Sequence, residues 1–561
     1  MNIAFLTSYN ADLIKKDFDK FLLSREKNVN CWWNNYGTQE LVVLDKKSLF
    51  YSFKPDIIII HLEIEWLLGD FISDILSLNI QERINKTEET KSRLTSLITI
   101  ITENLDNAKI VIENYTLRNK AYLGALDINI EFGLFEIVQL LNAHLLSLKK
   151  MYPDKIILND YAGLIKNFGG ENSFDYRIFH LAKNPFAKSF YLELFKHYYS
   201  IITILTKPRK KCLVVDLDNT LWGGIIGQDG MENIELGGSG MGEAYVRFQK
   251  CLFNYYRKGI FLAICSKNNY ADAIEVINKH PDMVLRKEYF SSLRINWNDK
   301  VTNIRSIAEE LNIGMDSLVF VDDNPAECEL VRQHLPEVEV INLIDGPINY
   351  VNQINSVDSL NTIFLTDEDL NRNKIHIADV QRKKLEENYT NLDDYLSSLE
   401  MLAYISINDP SHIQRVSQLT QKTNQFNLTT RRYTIEEIKK FLSDNNHKIY
   451  TLRLIDKFGD NGIVLVAIIE LRKEMWIIDT FLMSCRVIGR QAETALLNSI
   501  LEDASKSNVT IVLGEFIKTK KNEPAEDFYS KHGFTNQSTN EWSIKFPFTI
   551  NKHFIKINRE M

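Results

Sequence analysis

The sequence predicts an α/β protein built in three regions: two successive parallel-sheet α/β regions and a C-terminal α+β region. Three observations predict it. Over residues 1–205, short apolar runs rich in β-branched residues alternate with helical stretches, the signature of βαβ units. A second βα series starts at Lys210 and runs to about residue 375, with polar residues closing each strand. From about residue 400 the order changes to consecutive long strands, followed by helix, strand and helix. At 561 residues the chain is too long for one ordinary domain.

In the first region the expected strands are "IAFLTS" (3–8), "DIIIIHL" (56–62), "KIVIENY" (109–115) and "KIILND" (155–160), and the expected helices lie at about 69–83, 90–107 and 133–150. Ser8 follows the first strand, Asn159 and Asp160 close the fourth, and Asp175 and His180 come later. The pattern resembles a flavodoxin- or SGNH-like α/β domain. Ser8 lacks the Gly-Asp-Ser setting of SGNH esterases, and Asp175 and His180 are spaced differently from theirs. A non-catalytic scaffold or docking role is therefore expected.

In the second region the strands "CLVVDLD" (212–218), "FLAICS" (261–266) and "SLVFVDD" (317–323) carry the chemistry. Open parallel sheets bind ligands at the carboxyl ends of their strands. Two carboxylates two residues apart on a strand, Asp216 and Asp218, point to one side and repel, so a cation is expected between them. Ser266 can hydrogen-bond a phosphate oxygen, Lys300 in "NWNDK" can neutralise charge, and Asp322 and Asp323 add an acidic pair. Cys212 and Cys265, inside apolar strands, are expected in the core. The glycine-rich loop 222–245 can form only a small flap over such a site. Residues 366–400 are charged and helical, a connector in the making. The third region contributes "KIYTLRLID" (448–456), "GIVLVAIIE" (462–470) and "MWIIDTFLM" (475–483).

Composition excludes several classes. With 45% apolar and 25% charged residues the chain reads as an ordinary globular protein. A formal net charge of −8 predicts no affinity for nucleic acid or anionic membranes. The six cysteines (31, 212, 251, 265, 328, 485) are scattered with no CxxC pair, which argues against a disulfide framework and suits a reducing cytoplasm. The first residues lack the basic and apolar stretches of a signal peptide, and the strongest apolar run is too short to span a bilayer.

The ordered set "DLDNT", "CSKNN", "NWNDK" and "VDDNP" resembles the haloacid dehalogenase-like phosphatases. The resemblance implies a Rossmann-like core, Asp216 as nucleophile, Asp218 as general acid/base, Ser266, Lys300, Asn219 and Thr220 around phosphate, and Mg²⁺ held at Asp216, Asp218 (through its carbonyl), Asp322 and Asp323. "CRVIGRQAETALL" (485–497) and "AEDFYSKHGF" (525–534) resemble acetyltransferases of the GNAT type, with Gln491 where that loop carries Gly or Ala. With "DYRIFHLAKNPFA" (175–187) and "RVSQLTQKTNQFNLTTRRYT" (415–434), the whole is similar to the FkbH-like family, with a phosphatase of subfamily IIIC.

That resemblance implies an SGNH-like domain at 1–205, a phosphatase domain at 206–375, a helical connector at 376–400 and a GNAT-like domain at 401–561. It also implies a bifunctional glyceryltransferase–phosphatase. Such an enzyme takes 1,3-bisphosphoglycerate and leaves a glyceryl thioester on an acyl carrier protein, as in polyketide pathways; other members serve surface-polysaccharide clusters. Cys485, flanked by Arg486 and Arg490 at a helix start, is the expected acyl nucleophile, with His532 as a possible base. Asn424, Asn427, Thr429, Arg431 and Arg432 are expected to bind the phosphorylated acyl group or the phosphopantetheine arm. The competing readings are a plain phosphatase with partner-binding flanks and an N-acyltransferase.

Overall fold

The computed structural model describes residues 1–26, 28–118, 123–238, 240–365, 367–507 and 509–559. They form two compact units: Met1–Lys210 with Asn352–Phe364, and Lys211–Val351 with Leu365–Met561. The segment 352–364, expected with the middle region, thus belongs to the first unit. There Ser200 Oγ donates to Asp358 at 2.5 Å and the Lys210 amide donates to the Ser359 carbonyl at 2.9 Å.

The first unit holds a five-stranded sheet of β1 (Asn2–Thr7), β2 (Asn30–Trp33), β3 (Ile57–His61), β4 (Lys109–Glu113) and β5 (Ile156–Asn159), in the order β2-β1-β3-β4-β5. Every pairing is parallel. The continuous apolar runs follow from burial on both faces. Ala4, Leu6, Ile58, Ile60, Ile110 and Ile112 enter one core. Ile3, Phe5, Ile57, Ile59 and Val111 enter the other. Alternation along each strand sorts one run between two cores. The helix expected at 69–83 is broken: Phe71–Asp74 forms one turn and a new helix runs Ile80–Asn104. Asn79 starts it with a reciprocal cap, its side chain accepting from the Glu82 amide and Glu82 accepting from the Asn79 amide.

The second unit begins with another parallel sheet, β6 (Cys212–Val215), β7 (Phe261–Ser266), β8 (Phe290–Ile295), β9 (Leu318–Asp322) and β10 (Glu339–Asn342), ordered β10-β9-β6-β7-β8. Strand β6 lies between β9 and β7, so the ends of the three chemistry-bearing strands sit side by side. Cys212 and Cys265 are fully buried in this core, and burial holds both thiols far above their usual pKa.

The rest of the unit is a mixed sheet of β11 (Leu402–Ile407), β12 (Phe426–Asn427), β13 (His447–Asp456), β14 (Gly459–Leu471), β15 (Met475–Met483), β16 (Ile511–Glu515), β17 (Thr535–Asn536), β18 (Glu541–Lys545) and β19 (Lys556–Arg559). The order is β17-β18-β16-β15-β14-β13-β11-β19, with β12 on β15. Strands β15 and β16 pair in parallel only from Met475/Ile511 to Ile478/Gly514. Beyond that point β12 fills the opening. Phe426 and Asn427 pair with Met483 and Leu482, the Leu428 amide donates to the Phe481 carbonyl at 3.1 Å, and the Ile517 amide donates to the Leu428 carbonyl at 2.8 Å.

The helix Asp367–Glu386 ties the two sheets of this unit together. Asn373 Nδ2 donates to the Tyr256 carbonyl at 2.7 Å, and Arg382 grips Asp456 through Nε and Nη2, both at 2.8 Å. Arg382 and Asp456 are both buried.

Candidate active site

Leu217 is fully buried beneath β6, so its neighbours Asp216 and Asp218 both face outward from the core. The Asp216 amide still pairs with the Val321 carbonyl, which locks it beside the end of β9. Asp322 is the last residue of β9, and Asp323 follows it. Carboxylate oxygens of Asp216, Asp322 and Asp323 lie within 4.8 Å of one another. Lys300 reaches them from the first turn of the helix Lys300–Leu311, whose cap is Asp299. Its Nζ is 3.2 Å from Asp216 Oδ2 and also bonds Asp322 Oδ2.

The electrostatics follow from burial. Asp322 is fully buried beside Asp216, which pushes its carboxyl up to about 7 despite Lys300. Burial alone would drive the Lys300 ammonium down, but Asp216 and Asp322 outweigh it and hold the lysine charged. Asp323 and Asp218 are also raised, chiefly by burial. Asp216 Oδ1 is buried and has no hydrogen-bond partner among the described residues. Three carboxylates, one lysine and an orphaned oxygen leave a deficit of positive charge. An oxygen-only donor set of this kind fits a hard divalent cation such as Mg²⁺.

Asp218 stands apart from the three. Its Oδ1 accepts from Trp222 Nε1 at 2.9 Å and the Ile226 amide at 3.2 Å, and its Oδ2 from Asn268 Nδ2 at 3.0 Å. Its side chain is therefore held off the acidic cluster, leaving only its carbonyl for a metal. Ser266, closing β7, accepts from the same Asn268 Nδ2 at 3.1 Å.

Asn219 and Thr220 have their side chains engaged within the turn after β6. Asn219 sits at φ 54°, where asparagine is tolerated, and its Oδ1 accepts from the Gly224 amide at 2.9 Å. Thr220 is fully buried and donates to Asp323 Oδ1 at 3.3 Å. Both side chains build the turn that presents Asp216 and Asp323. The flap is small, as expected: a single turn at Ile226–Asp229 closed by Gly223 and Glu235. Trp222 and Asn268 were not singled out from sequence, although Asn268 lies two residues beyond Ser266 and so on its side of the chain.

In the C-terminal sheet the side chains of the expected substrate-binding residues have partners within the chain, and Asn427, Thr429 and Arg490 are buried. Cys485 is exposed and opens the short turn Cys485–Val487 after β15. Arg486 Nε bonds Ser484 Oγ at 3.2 Å. Arg490 is buried and bonds Asp456 at 3.3 Å and Asp379 at 3.2 Å. Asn427 is fully buried, its Oδ1 accepting from the Thr430 amide; Thr429 donates to the Asp479 carbonyl. Arg431 is held by Asp479 and Glu515, both at 2.6 Å, and Arg432 by Asn424 at 2.6 Å. These residues fasten the segment that fills the gap between β15 and β16. His532 has both ring nitrogens occupied, by Thr494 and the Phe528 carbonyl. Gln491 takes φ 62°, the left-handed conformation that glycine adopts most easily.

In the first unit, Ser8 Oγ accepts from the Glu63 amide, Asp175 caps the helix Tyr176–Ala182, and Asn159 bonds Glu113 and His197. A buried network of His61, Glu63, Arg118, Tyr161 and Tyr198 lies at the same end of the sheet. Arg118 and His61 outweigh burial and hold Glu63 down to about 2, whereas Glu65, sharing Arg118, is pushed up by burial to about 7. Among the described residues, no helix is long and apolar enough to cross a membrane.

Comparison with known proteins agrees with this layout. Residues 2–202 match the family model of the FkbH N-terminal domain. The crystal structure of the N-terminal part of protein BF1531 from Bacteroides fragilis, containing a phosphatase domain complexed with Mg, is 29% identical; it covers 65% of this chain and 94% of its own, with a TM-score of 0.59. Ard1 from Thermoplasma volcanium is 20% identical over 25% of this chain and 94% of its own, with a TM-score of 0.21. The ribosomal-protein-S18-alanine N-acetyltransferase from Escherichia coli is 13% identical over 26% of this chain and 96% of its own, with a TM-score of 0.21. No curated protein matches the chain. Residues 2–202 thus resemble the FkbH N-terminal domain, and the Rossmann-like core that follows is of the kind seen in the Bacteroides fragilis structure.

Proposed function

We propose that the chain is a Mg²⁺-dependent phosphatase joined to an acyltransferase. The observation that carries the phosphatase reading is the set of Asp216, Asp322, Asp323 and Lys300 around a buried Asp216 oxygen that has no partner among the described residues. The Bacteroides fragilis neighbour, described as a phosphatase domain complexed with Mg, supports it. Asp216, Asp322, Asp323 and the Asp218 carbonyl would hold the ion, whose chemistry when bound is to neutralise phosphate charge and relieve the repulsion among the carboxylates.

The chain's own residues supply the rest. An Asp216 oxygen attacks phosphorus, the bond from phosphorus to the leaving oxygen breaks, and Asp218 gives that oxygen its proton. The product is an aspartyl-phosphate. Asp218, now a carboxylate, takes a proton from water as the water oxygen attacks phosphorus. The bond to Asp216 breaks and inorganic phosphate leaves. Ser266 and Lys300 hold the phosphate oxygens throughout.

For the acyl step, the substrate class is a three-carbon acyl phosphate such as 1,3-bisphosphoglycerate. A Cys485 thiolate attacks the acyl carbon, the bond to the phosphate oxygen breaks, and phosphate departs. Exchange with the phosphopantetheine thiol of an acyl carrier protein then moves the glyceryl group on. The exposure of Cys485 supports this reading. The inward bonding of Arg490, Asn427 and Arg431 favours a second one, a phosphatase whose other domains bind partners. Intact-mass analysis after incubation with the acyl phosphate and a carrier decides between them. Cys485→Ala should lose carrier loading but keep phosphatase activity. Asp216→Asn should load the acyl group with its 3-phosphate still attached. Carrier loading at the wild-type rate by Cys485→Ala would overturn the role of Cys485. Phosphate release by Asp216→Asn above about a tenth of wild type would overturn that of Asp216.

A further inference from the structure

Three nitrogen donors meet the Asp218 carboxyl: Trp222 Nε1, the Ile226 amide and Asn268 Nδ2. Trp222 is fully buried and Asn268 nearly so. The indole has a single donor and no acceptor, so its orientation is fixed by the carboxylate it meets. Asn268 has two hydrogens on Nδ2, enough for its two acceptors, Asp218 Oδ2 at 3.0 Å and Ser266 Oγ at 3.1 Å. A hydroxyl that accepts one bond still has its own hydrogen to give. With Asn268 on one side of Ser266, that hydrogen is left for a phosphate oxygen.

We propose that Trp222 and Asn268 are positioning residues for phosphoryl transfer. Together they fix the Asp218 carboxyl at the leaving-group oxygen, and Asn268 also turns the Ser266 hydroxyl toward the phosphate. Neither residue touches the reacting atoms. The proposal rests on Asp218 serving as the leaving-group acid, as set out above. In the first half-reaction the proton moves from Asp218 to the leaving oxygen as its bond to phosphorus breaks. An alkoxide needs that proton, whereas nitrophenolate, a stable anion, leaves without it.

The test therefore compares two substrates, glycerol phosphate and p-nitrophenyl phosphate, with Mg²⁺ present. It reads kcat/KM, which reports steps through aspartyl-phosphate formation and leaves out the later hydrolysis. Trp222→Phe keeps the ring and removes the N–H. For it, kcat/KM on glycerol phosphate should fall by about a hundredfold and on p-nitrophenyl phosphate by no more than about threefold; Asn268→Ala, which also frees Ser266, should slow p-nitrophenyl phosphate too, but glycerol phosphate by at least about tenfold more, within the usual contribution of a general acid. Asp218→Asn should show the same split. A merely structural role would slow both substrates alike, and that result overturns the proposal; so does an unchanged rate on glycerol phosphate. If Trp222→Phe does not fold, Asn268→Ala carries the same comparison. Failure of the phosphatase reading has its own signature: the wild-type protein hydrolyses neither substrate, or Asp216→Asn hydrolyses both.

Discussion

Replacing Lys300 by methionine keeps most of the length of the side chain and removes its charge. In the structure that charge lies 3.2 Å from Asp216 Oδ2 and bonds Asp322, with almost no solvent to replace it. At this distance, with an effective dielectric near 20, each contact is worth about 5 kcal/mol before desolvation is counted. Losses on removing a single preorganised stabilising group run at about 3–4 kcal/mol, so phosphate release should fall about a hundred- to a thousandfold in Lys300→Met. A second readout is independent of turnover. Without the lysine, the carboxylates of buried Asp216 and Asp322 and half-buried Asp323 repel with no cation among them, so the apo variant should melt below wild type. Mg²⁺ should then raise the melting midpoint of the variant more than that of wild type, because ion binding offsets the larger repulsion. The assays are phosphate release from p-nitrophenyl phosphate and calorimetry with and without Mg²⁺. A loss of activity smaller than about fivefold would refute the role of Lys300, given the losses expected for such a group. Equal Mg²⁺ shifts in the two proteins would refute the charge-deficit account.

Three further outcomes follow from other parts of the molecule. Arg382→Met leaves the buried Asp456 with Arg490 as its remaining ion-pair partner, so urea unfolding followed by fluorescence should show roughly 3 kcal/mol less stability, and a change near zero would contradict a structural clamp. The Glu63–Glu65 pair should make the first unit most stable near pH 4.5: Glu63, held down to about 2, loses its stabilisation as pH falls below its ordinary value of 4.5, and Glu65, raised to about 7, loses its own as pH rises above 4.5. Glu63→Gln should flatten the acid side of a melting-against-pH profile and Glu65→Gln the other, and an unchanged profile in both would contradict this assignment. A disulfide reagent on the native protein should label Cys485 before the other five thiols, with peptide mapping as the check, because it is the one exposed cysteine.

The sequence revealed the phosphatase cluster because parallel strands concentrate function at their carboxyl ends. Runs ending in Asp216, Ser266 and Asp322 could be read without any long-range information, and Lys300 stood out as a lone cation after "NWND". Other parts carried no such local mark. Strand β8, "FSSLRI", alternates apolar and polar residues at a sheet edge, and β2 and β19 are four residues each. The Asn79 cap was present as "NIQE" but lay inside an apolar pattern that continues through it. Asn219 and Thr220 have the side chains for phosphate binding; only the turn they build shows that those side chains are already used. The segment 424–432 looked ligand-facing because it is polar. Its partners, Phe481 and Ile517, lie more than fifty residues away, beyond the reach of any local pattern.

The filling of the gap by β12 has a consequence for affinity. An extended ligand entering between β15 and β16 must first displace the chain's own strand. Four hydrogen bonds would be broken: Leu428 to Phe481, Ile517 to Leu428, Asn522 to the Asn427 carbonyl, and Thr429 to the Asp479 carbonyl. At about 1 kcal/mol each the open form would hold roughly one molecule in a thousand, and the apparent Kd would be weaker than the intrinsic one by the same factor. Phe426 and Leu428, both buried, would lose their packing as well and make the open form rarer still. A nanomolar ligand for that slot would be measured as micromolar or weaker. Binding would also be slow wherever opening of the strand comes first, so the observed association rate would level off with ligand concentration instead of rising in proportion to it.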